Sequence, residues 1–388
     1  MGSTRWSVAL LLGALVWLGA AAGASAQSAL FVGGGGQLWS KPDLDGNGIA
    51  LVHYRLPEVG GGEVQLEWNT DTVTAAWVGV PLGDGVSLSV FGRAEALLAG
   101  VLLHYHQMGQ KLPQRGFNAS YGQVGGRLAL DRGWHHLNFE LGGRRWAFSP
   151  NGETAGALTL PADTWVIETR ARYTLWGFDG DASFAEPHRP TWRLSGVGAG
   201  AELGADLRSD GRPFGDLSGL AGGAPETRNE AGRTPAWLRG WAGMGHRLGA
   251  ARLQVVERFG AGRGQDDVSR ARVGGMNPYV VPTLGLPWAT WLPNAYAATR
   301  LSLHLPIGGQ SELGPAVDAV FLPQADARRI TPPKGLDGLA LVAGVGVLAD
   351  LRLGDWQVDA QVGWALPSVW LDGGPHVSGF VWVGRRVW

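Results

Sequence analysis

The chain contains no cysteine. That excludes a disulfide scaffold and any thiolate-held zinc or iron–sulfur centre. A strong charge of either sign is also missing, since 32 Lys and Arg against 33 Asp and Glu leave a formal net charge of −1, and nothing therefore marks a nucleic-acid partner. Beyond the N-terminal segment there is no long hydrophobic run: no apolar stretch reaches the ~18 to 20 residues that a spanning helix needs. If this chain enters a membrane it must do so as a closed barrel, because only helices and barrels satisfy their backbone polar groups in lipid.

What is abundant points the same way. The chain carries 63 glycines and 19 tryptophans in 388 residues, with 45% hydrophobic content. The glycines follow no three-residue period, which excludes collagen, and the hydrophobic share excludes disorder. At the N-terminus Arg5 supplies a positive charge, Val8 to Ala22 an apolar core, and Ala24-Ser25-Ala26 a small-residue cleavage site before Gln27. This is the pattern of a signal peptide, and no stop-transfer flank follows to make it a membrane anchor. Residues 1–26 are expected to be cleaved on export after Ala26, leaving residues 27–388 as the mature domain.

A period of two runs through that domain. Trp165, Ile167, Ala171, Tyr173 and Leu175 share one face of a segment whose other face carries Glu168, Arg170, Arg172 and Thr174. Trp356, Val358, Ala360, Val362 and Trp364 alternate with Asp355, Gln357, Asp359 and Gln361. Leu301, Leu303, Leu305 and Ile307 oppose Arg300, Ser302 and His304, and Leu137, Phe139 and Leu141 oppose His136, Asn138, Glu140 and Arg144. Successive strand side chains point to opposite faces, so each segment has an oily side and a wet side. A soluble sandwich shares that alternation. Here, however, charges and amides sit in the middle of the polar face and aromatics towards the ends of the apolar face, as a lipid band with aromatic girdles around a watery interior requires.

Sixteen such segments are read near residues 29–40, 48–56, 62–71, 73–81, 85–99, 118–130, 134–148, 163–177, 190–207, 235–247, 251–261, 295–306, 313–322, 338–353, 356–370 and 376–388. The fold class expected is an all-β transmembrane antiparallel barrel of about sixteen strands, with fourteen and eighteen as its bounds. Connections after even-numbered strands are short and those after odd-numbered strands include the long ones, apart from 179–189. That asymmetry belongs to outer-membrane barrels, whose long loops face outside.

The ending, His376 to Trp388, reads as the strand that closes the barrel on the first. Phe380, Trp382 and Trp388 share one parity, which puts these aromatics at the membrane interface, with Arg386 snorkelling to the headgroups. On the expected lumen face Glu140, Arg144, Glu168, Arg170, Arg172 and Arg300 either set ion preference, as charged rings do in pores, or pair with one another and fill the interior.

From about Val273 onward the chain resembles the barrel domain of the outer-membrane assembly-factor and bacterial surface-antigen superfamily, which includes the two-partner secretion transporters. The resemblance rests on Gly274-Gly275 opening a long loop, the strand Leu301 to Pro306, Ala319-Val320-Phe321, Gly344-Val345-Gly346-Val347, the strand Gln357 to Trp364, and the ending Phe380, Trp382, Gly384 before Trp388. It implies sixteen strands and a long loop between the eleventh and twelfth that folds into the lumen, with Arg272, Gly274, Gly275 and Gly285 as its candidate residues. The family's Arg-Gly-aromatic triplet at that loop tip is replaced by Leu284-Gly285-Leu286, while Arg115-Gly116-Phe117 spells it in an earlier loop. The first strand begins almost at the cleavage site, so the family's periplasmic substrate-binding domains are expected to be lacking.

Other candidate chemistry is thin. Asp43-Leu44-Asp45-Gly46-Asn47-Gly48 spells half a calcium loop but has Tyr54 where a bidentate Glu is needed, and Asn-Gly is itself a hairpin signal. His136, Asn138 and Glu140 on one strand face could approach an ion, as any polar lumen row could. His376 and Ser378 share a face, yet no acidic orienter or Gly-x-Ser-x-Gly elbow accompanies them, so no enzyme and no cofactor are expected. The expected partners are the outer-membrane lipid bilayer, the barrel assembly machinery during biogenesis, and an export substrate or small solute. The expected role is a pore or an export or assembly accessory in the bacterial outer membrane. An unrelated diffusion or solute-specific porin and a surface-exposed binding barrel with a plugged lumen are the alternatives.

Overall fold

The computed structural model describes residues 29–39, 45–69, 72–96, 106–107, 110–111, 116–152, 154–178, 195–215, 232–266, 268–275, 281–286, 292–323, 339–366 and 376–386. The expected signal peptide, Asp43, the connection 179–189, Arg115 and Trp388 lie outside them.

The strands in chain order are β1 (Ala29–Trp39), β2 (Asp45–Val59), β3 (Gly62–Asn69), β4 (Thr72–Gly83), β5 (Val86–Ala96), β6 (His106–Gln107), β7 (Gln110–Lys111), β8 (Asn118–Arg132), β9 (His135–Ser149), β10 (Thr164–Phe178), β11 (Gly196–Arg208), β12 (Ala236–Leu248), β13 (Ala251–Arg263), β14 (Ala295–Gly308), β15 (Ser311–Pro323), β16 (Leu339–Leu353), β17 (Trp356–Ala365) and β18 (His376–Arg386). Sixteen of them form one closed antiparallel barrel, each paired with its neighbour along the chain, while β6 and β7 make a separate small hairpin between β5 and β8. Every segment read from the alternation is a barrel strand. The barrel is sealed by β1 on β18, in register from Phe31 opposite Arg386 to Trp39 opposite Ser378.

Two-residue connections join strands at one end of the barrel. Gly60-Gly61 links β2 to β3 with φ of 58° and 79°, a left-handed pair that costs glycine nothing and whose twist matches that of the flanking strands. The longer connections are at the other end, apart from the one between β10 and β11.

The outward face is apolar. Val124, Leu141, Trp165, Ile167 and Leu203 are each more than half exposed, with Trp165 at 62%. A belt of that extent is unfavourable in water and suited to lipid. Exposed Trp134 and Trp356 sit at the short-turn end, and Trp165 and Trp364 at the long-loop end, giving two aromatic levels. Inward parity carries Glu168, Arg300, Ser302, His304, Asp359 and Gln361, all buried, as the alternation requires.

One face was misassigned. Phe380 and Trp382 are buried in the lumen, at 1% and 4% exposure, and Val381 takes the outward position. The reason lies in what fills the interior beside β18: Phe380 and Trp382 pack with Leu51, Leu284, Ala316, Leu348 and Phe31. A strand bounded by lipid on one side and a packed apolar plug on the other is oily on both faces, so aromatic parity alone does not say which is outside.

Candidate functional site

The interior has two sectors. Over β14 to β18 and β1 it is filled by the connection between β13 and β14. That connection bonds to itself, with the Gly274 N–H donating to the Val281 carbonyl at 3.1 Å, Val281 N–H to the Arg272 carbonyl at 2.8 Å and Thr283 N–H to the Gly275 carbonyl at 2.7 Å. Its base is pinned to the wall, where Arg208 bonds Asp266 at 2.7 Å and Arg239 donates to the Ser269 carbonyl at 3.1 Å, and its two ends are tied together by Arg270, which donates to the Asn294 side chain at 2.9 Å. Val273, Val281 and Leu286 then join wall residues Ala298, Val320, Val342 and Ala365 in a dry cluster.

The tip is the turn Thr283-Leu284-Gly285-Leu286, in which Gly285 has φ of 82°. Only glycine adopts that geometry freely. The close approach is as demanding as the φ: a Cβ on Gly285 would stand 1.8 Å from the Ala365 nitrogen. The wall is equally bare opposite it, since a Cβ on Gly344 would meet the Leu284 carbonyl oxygen at 2.2 Å. Two polar contacts fix the seat. The Leu284 N–H donates to Asp318 Oδ2 at 2.7 Å, and Gln37 Nε2 donates to the Leu286 carbonyl at 3.0 Å. Asp318 is held in turn by a two-pronged bond from Arg300, Nε to Oδ1 at 2.7 Å and Nη2 to Oδ2 at 2.6 Å.

The expected lumen-loop residues thus divide. Gly285 is the contact residue at the tip. Gly274 and Gly275, with φ of 109° and 97°, belong to the self-bonded stem. Arg272 is in the stem, where burial pushes its guanidinium below its ordinary value and the Glu95 carboxylate opposes that shift. Sequence reading missed Asp318, whose signal was a lone acid on an otherwise apolar strand, Ala316 to Leu322.

The other sector, walled by β2 to β5 and β8 to β13, encloses a cavity of about 640 Å³. Glu140 receives Arg127 at 3.0 Å and Arg170 at 4.0 Å, and Glu202 receives Arg172 at 2.6 Å and the Trp237 indole N–H at 3.1 Å. Buried Glu168 takes both Arg144 and Arg170. Of the six lumen candidates, then, Glu140, Arg144, Glu168, Arg170 and Arg172 come together on β9 and β10, whereas Arg300 stands in the plugged sector with Asp318. His136 leaves the proposed ion row for Asp131, at 2.7 Å. Among the described residues no group of three or more His, Asp and Glu is placed to hold a metal. Ser302 and His304 bond at 2.9 Å, with Glu312 3.7 Å from the imidazole, and the two are buried and do not line this cavity.

At the long-loop end Phe117, Phe148 and Phe214 meet edge to face, with ring centroids 6.0 and 6.3 Å from Phe117, in a cap that includes Leu158. Phe117 of the Arg115-Gly116-Phe117 triplet is spent on this cap, outside the lumen plug.

No protein-family model matches the chain, and no curated protein matches it. Among solved structures it is similar to BamA from Haemophilus ducreyi lacking POTRA domains 1-3, with a TM-score of 0.58 and 12% identity over 92% of this chain and 70% of that one. It is similar also to CdiB from Acinetobacter baumannii, with a TM-score of 0.53 and 9% identity. The alignment covers 92% of this chain and 60% of the CdiB chain. The fold is that of an outer-membrane barrel. OprD from Pseudomonas aeruginosa aligns over 93% of each chain with a TM-score of 0.41 and 10% identity.

Proposed function

We propose that this protein is an outer-membrane barrel of the assembly-factor and surface-antigen kind, in which the 264–294 connection plugs the lumen and regulates passage, so that the protein serves as an export or assembly accessory. The observation that carries this reading is the seat of the tip, where Gly285 lies against the backbone of Trp364 and Ala365 and Asp318 accepts the Leu284 N–H. A loop that merely covers an opening has no need of a matched pair of side-chain-free surfaces deep in the wall. The likeness to BamA and CdiB supports the same reading at the level of fold.

On this proposal the chain is exported with cleavage after Ala26, is folded by the barrel assembly machinery, rests in the outer-membrane bilayer and performs no chemistry of its own. N-terminal sequencing of the membrane-extracted protein should begin at Gln27. In planar bilayers the wild-type barrel should be closed or flicker at low conductance, and Gly285→Val, which cannot seat, should open it at least tenfold. A large steady wild-type conductance that ignores Gly285→Val would sink the plug. That result would favour a second reading, a small-solute porin, for which the charged cavity beside the loop is the supporting observation.

A further inference from the structure

The charges around the cavity do not cancel. Its lining includes six arginines and three glutamates, leaving three guanidiniums in excess. All three glutamates are engaged: Glu140 with Arg127 and Arg170, Glu202 with Arg172, and Glu67 with His53 at 3.1 Å. The excess is therefore assignable to Arg93, Arg239 and Arg258, none of which has a carboxylate within ion-pair distance among the described residues. Arg93 is held by the Thr74 hydroxyl at 3.3 Å, and Arg239 by the Ser269 carbonyl and the face of Trp237, 5.5 Å from its ring centroid.

Two of these lie on adjoining strands. Arg239 on β12 is opposite Gly260 on β13, and Arg258 is two residues along β13 on the same lumen face, so the pair is a diagonal neighbour across the ladder, about 7–8 Å apart at the backbone. Arg93 reaches the same cavity from β5. Like charges gathered in a partly desolvated wall repel one another, and a bound anion relieves that repulsion. A guanidinium presents a planar fork that matches a carboxylate or phosphate, and the cavity volume is within the range of small-molecule sites.

We propose that this cavity is a binding site for small multivalent oxyanions, polycarboxylates or phosphate-bearing solutes, held by Arg93, Arg239 and Arg258. The assignment is independent of whether the lumen conducts, because binding can be measured on closed barrels in detergent. Trp241 lines the cavity, so ligand entry is read by its fluorescence and, separately, by titration calorimetry. At fixed ionic strength, citrate and inorganic pyrophosphate should bind saturably and acetate at least tenfold more weakly. Arg258→Gln and Arg93→Gln should each weaken the tighter of the two by about tenfold, and Arg258→Lys should restore part of that loss. Arg145→Gln, which alters an arginine stacked on outward-facing Trp165, should leave it unchanged. The proposal fails if neither polyanion saturates, if Arg258→Gln and Arg93→Gln bind as wild type does, or if spermidine binds in their place. A preference for citrate over pyrophosphate, or the reverse, distinguishes a polycarboxylate from a phosphorylated ligand. Heat-modifiable gel migration of each variant separates lost binding from lost folding, and Arg93→Gln, on another wall from Arg258, gives a second reading if either variant does not fold.

Discussion

The two halves of the lumen solve one problem in opposite ways. Both are bounded by the same alternating strands, yet in the β14 to β18 sector apolar clusters close over the Arg300–Asp318 pair that seats the tip, beside buried polar wall residues such as Asp359 and Gln361, and the β2 to β13 sector is held open by a mesh of arginines and glutamates. A packed interior derives its strength from area removed from water and tolerates almost no added volume, whereas a hydrated charged wall can exchange partners and tolerates change. On the proposed function, the plugged sector carries the stability of the molecule and the charged sector its selectivity.

The sharpest way to break that contrast is to add volume to the plug. Gly285→Val places atoms inside the Trp364–Ala365 backbone at a φ that valine avoids, and should cost more than about 3 kcal/mol in thermal unfolding. Next comes Asp318→Asn, which removes the carboxylate charge that buried Arg300 faces. It should cost about 3–5 kcal/mol and speed amide exchange over residues 281–286, and the double change Arg300→Met with Asp318→Leu should recover most of the stability but not the slow exchange. In the charged sector, Glu168→Gln removes the negative charge that Arg144 and Arg170 share, but Arg170 keeps Glu140 beside the open cavity. The expected loss is about 2 kcal/mol, together with a shift in the permeability ratio towards anions measured by reversal potential. If Glu168→Gln proves the more damaging, the division of labour is reversed.

The smallest effect lies outside the barrel wall. The backbone N–H of Arg212 holds the Asp210 carboxyl below its ordinary value, and the Arg212 side chain adds to it. A depressed carboxylate stabilises the fold above its ordinary pKa and loses that contribution as the pH falls through the lowered one. Arg212→Ala should therefore raise the Asp210 titration midpoint only in part, as seen in its carboxyl chemical shift, because the backbone donor remains.

The barrel was legible in the residues because a period of two with charges inside and aromatics at the ends is imposed on each strand by its own two surroundings. Glu168, Arg170 and Arg172 face the lumen for that local reason. In the residues themselves the plug was legible only as a long connection, and its inward fold was implied only by the family resemblance. Which segment fills the lumen depends on contacts between distant residues, such as Leu284 with Gly344 and Gly363, and no single strand records them. The misassigned face of β18 did carry a clue: His376 and Ser378 share the parity of Phe380 and Trp382, and polar side chains seldom accompany lipid-facing aromatics. The charge excess of the cavity was hidden for a similar reason, since Arg93, Arg239 and Arg258 are brought together only by barrel closure.

The glycine-rich first strand bears on how such a molecule is made. Phe31 and Trp382 lie across bare backbone at the join of β1 and β18, where a Cβ on Gly384 would come within 2.2 Å of the Phe31 ring and one on Gly33 within 2.6 Å of Trp382. All other barrel neighbours are close in the chain and can zip as hairpins, but this pair must find each other from opposite termini, the slowest kind of encounter. Until it does, the polypeptide is an open ribbon with two raw edges, so substitutions at this join should lengthen the assembly lifetime of the chain before they alter the finished cylinder.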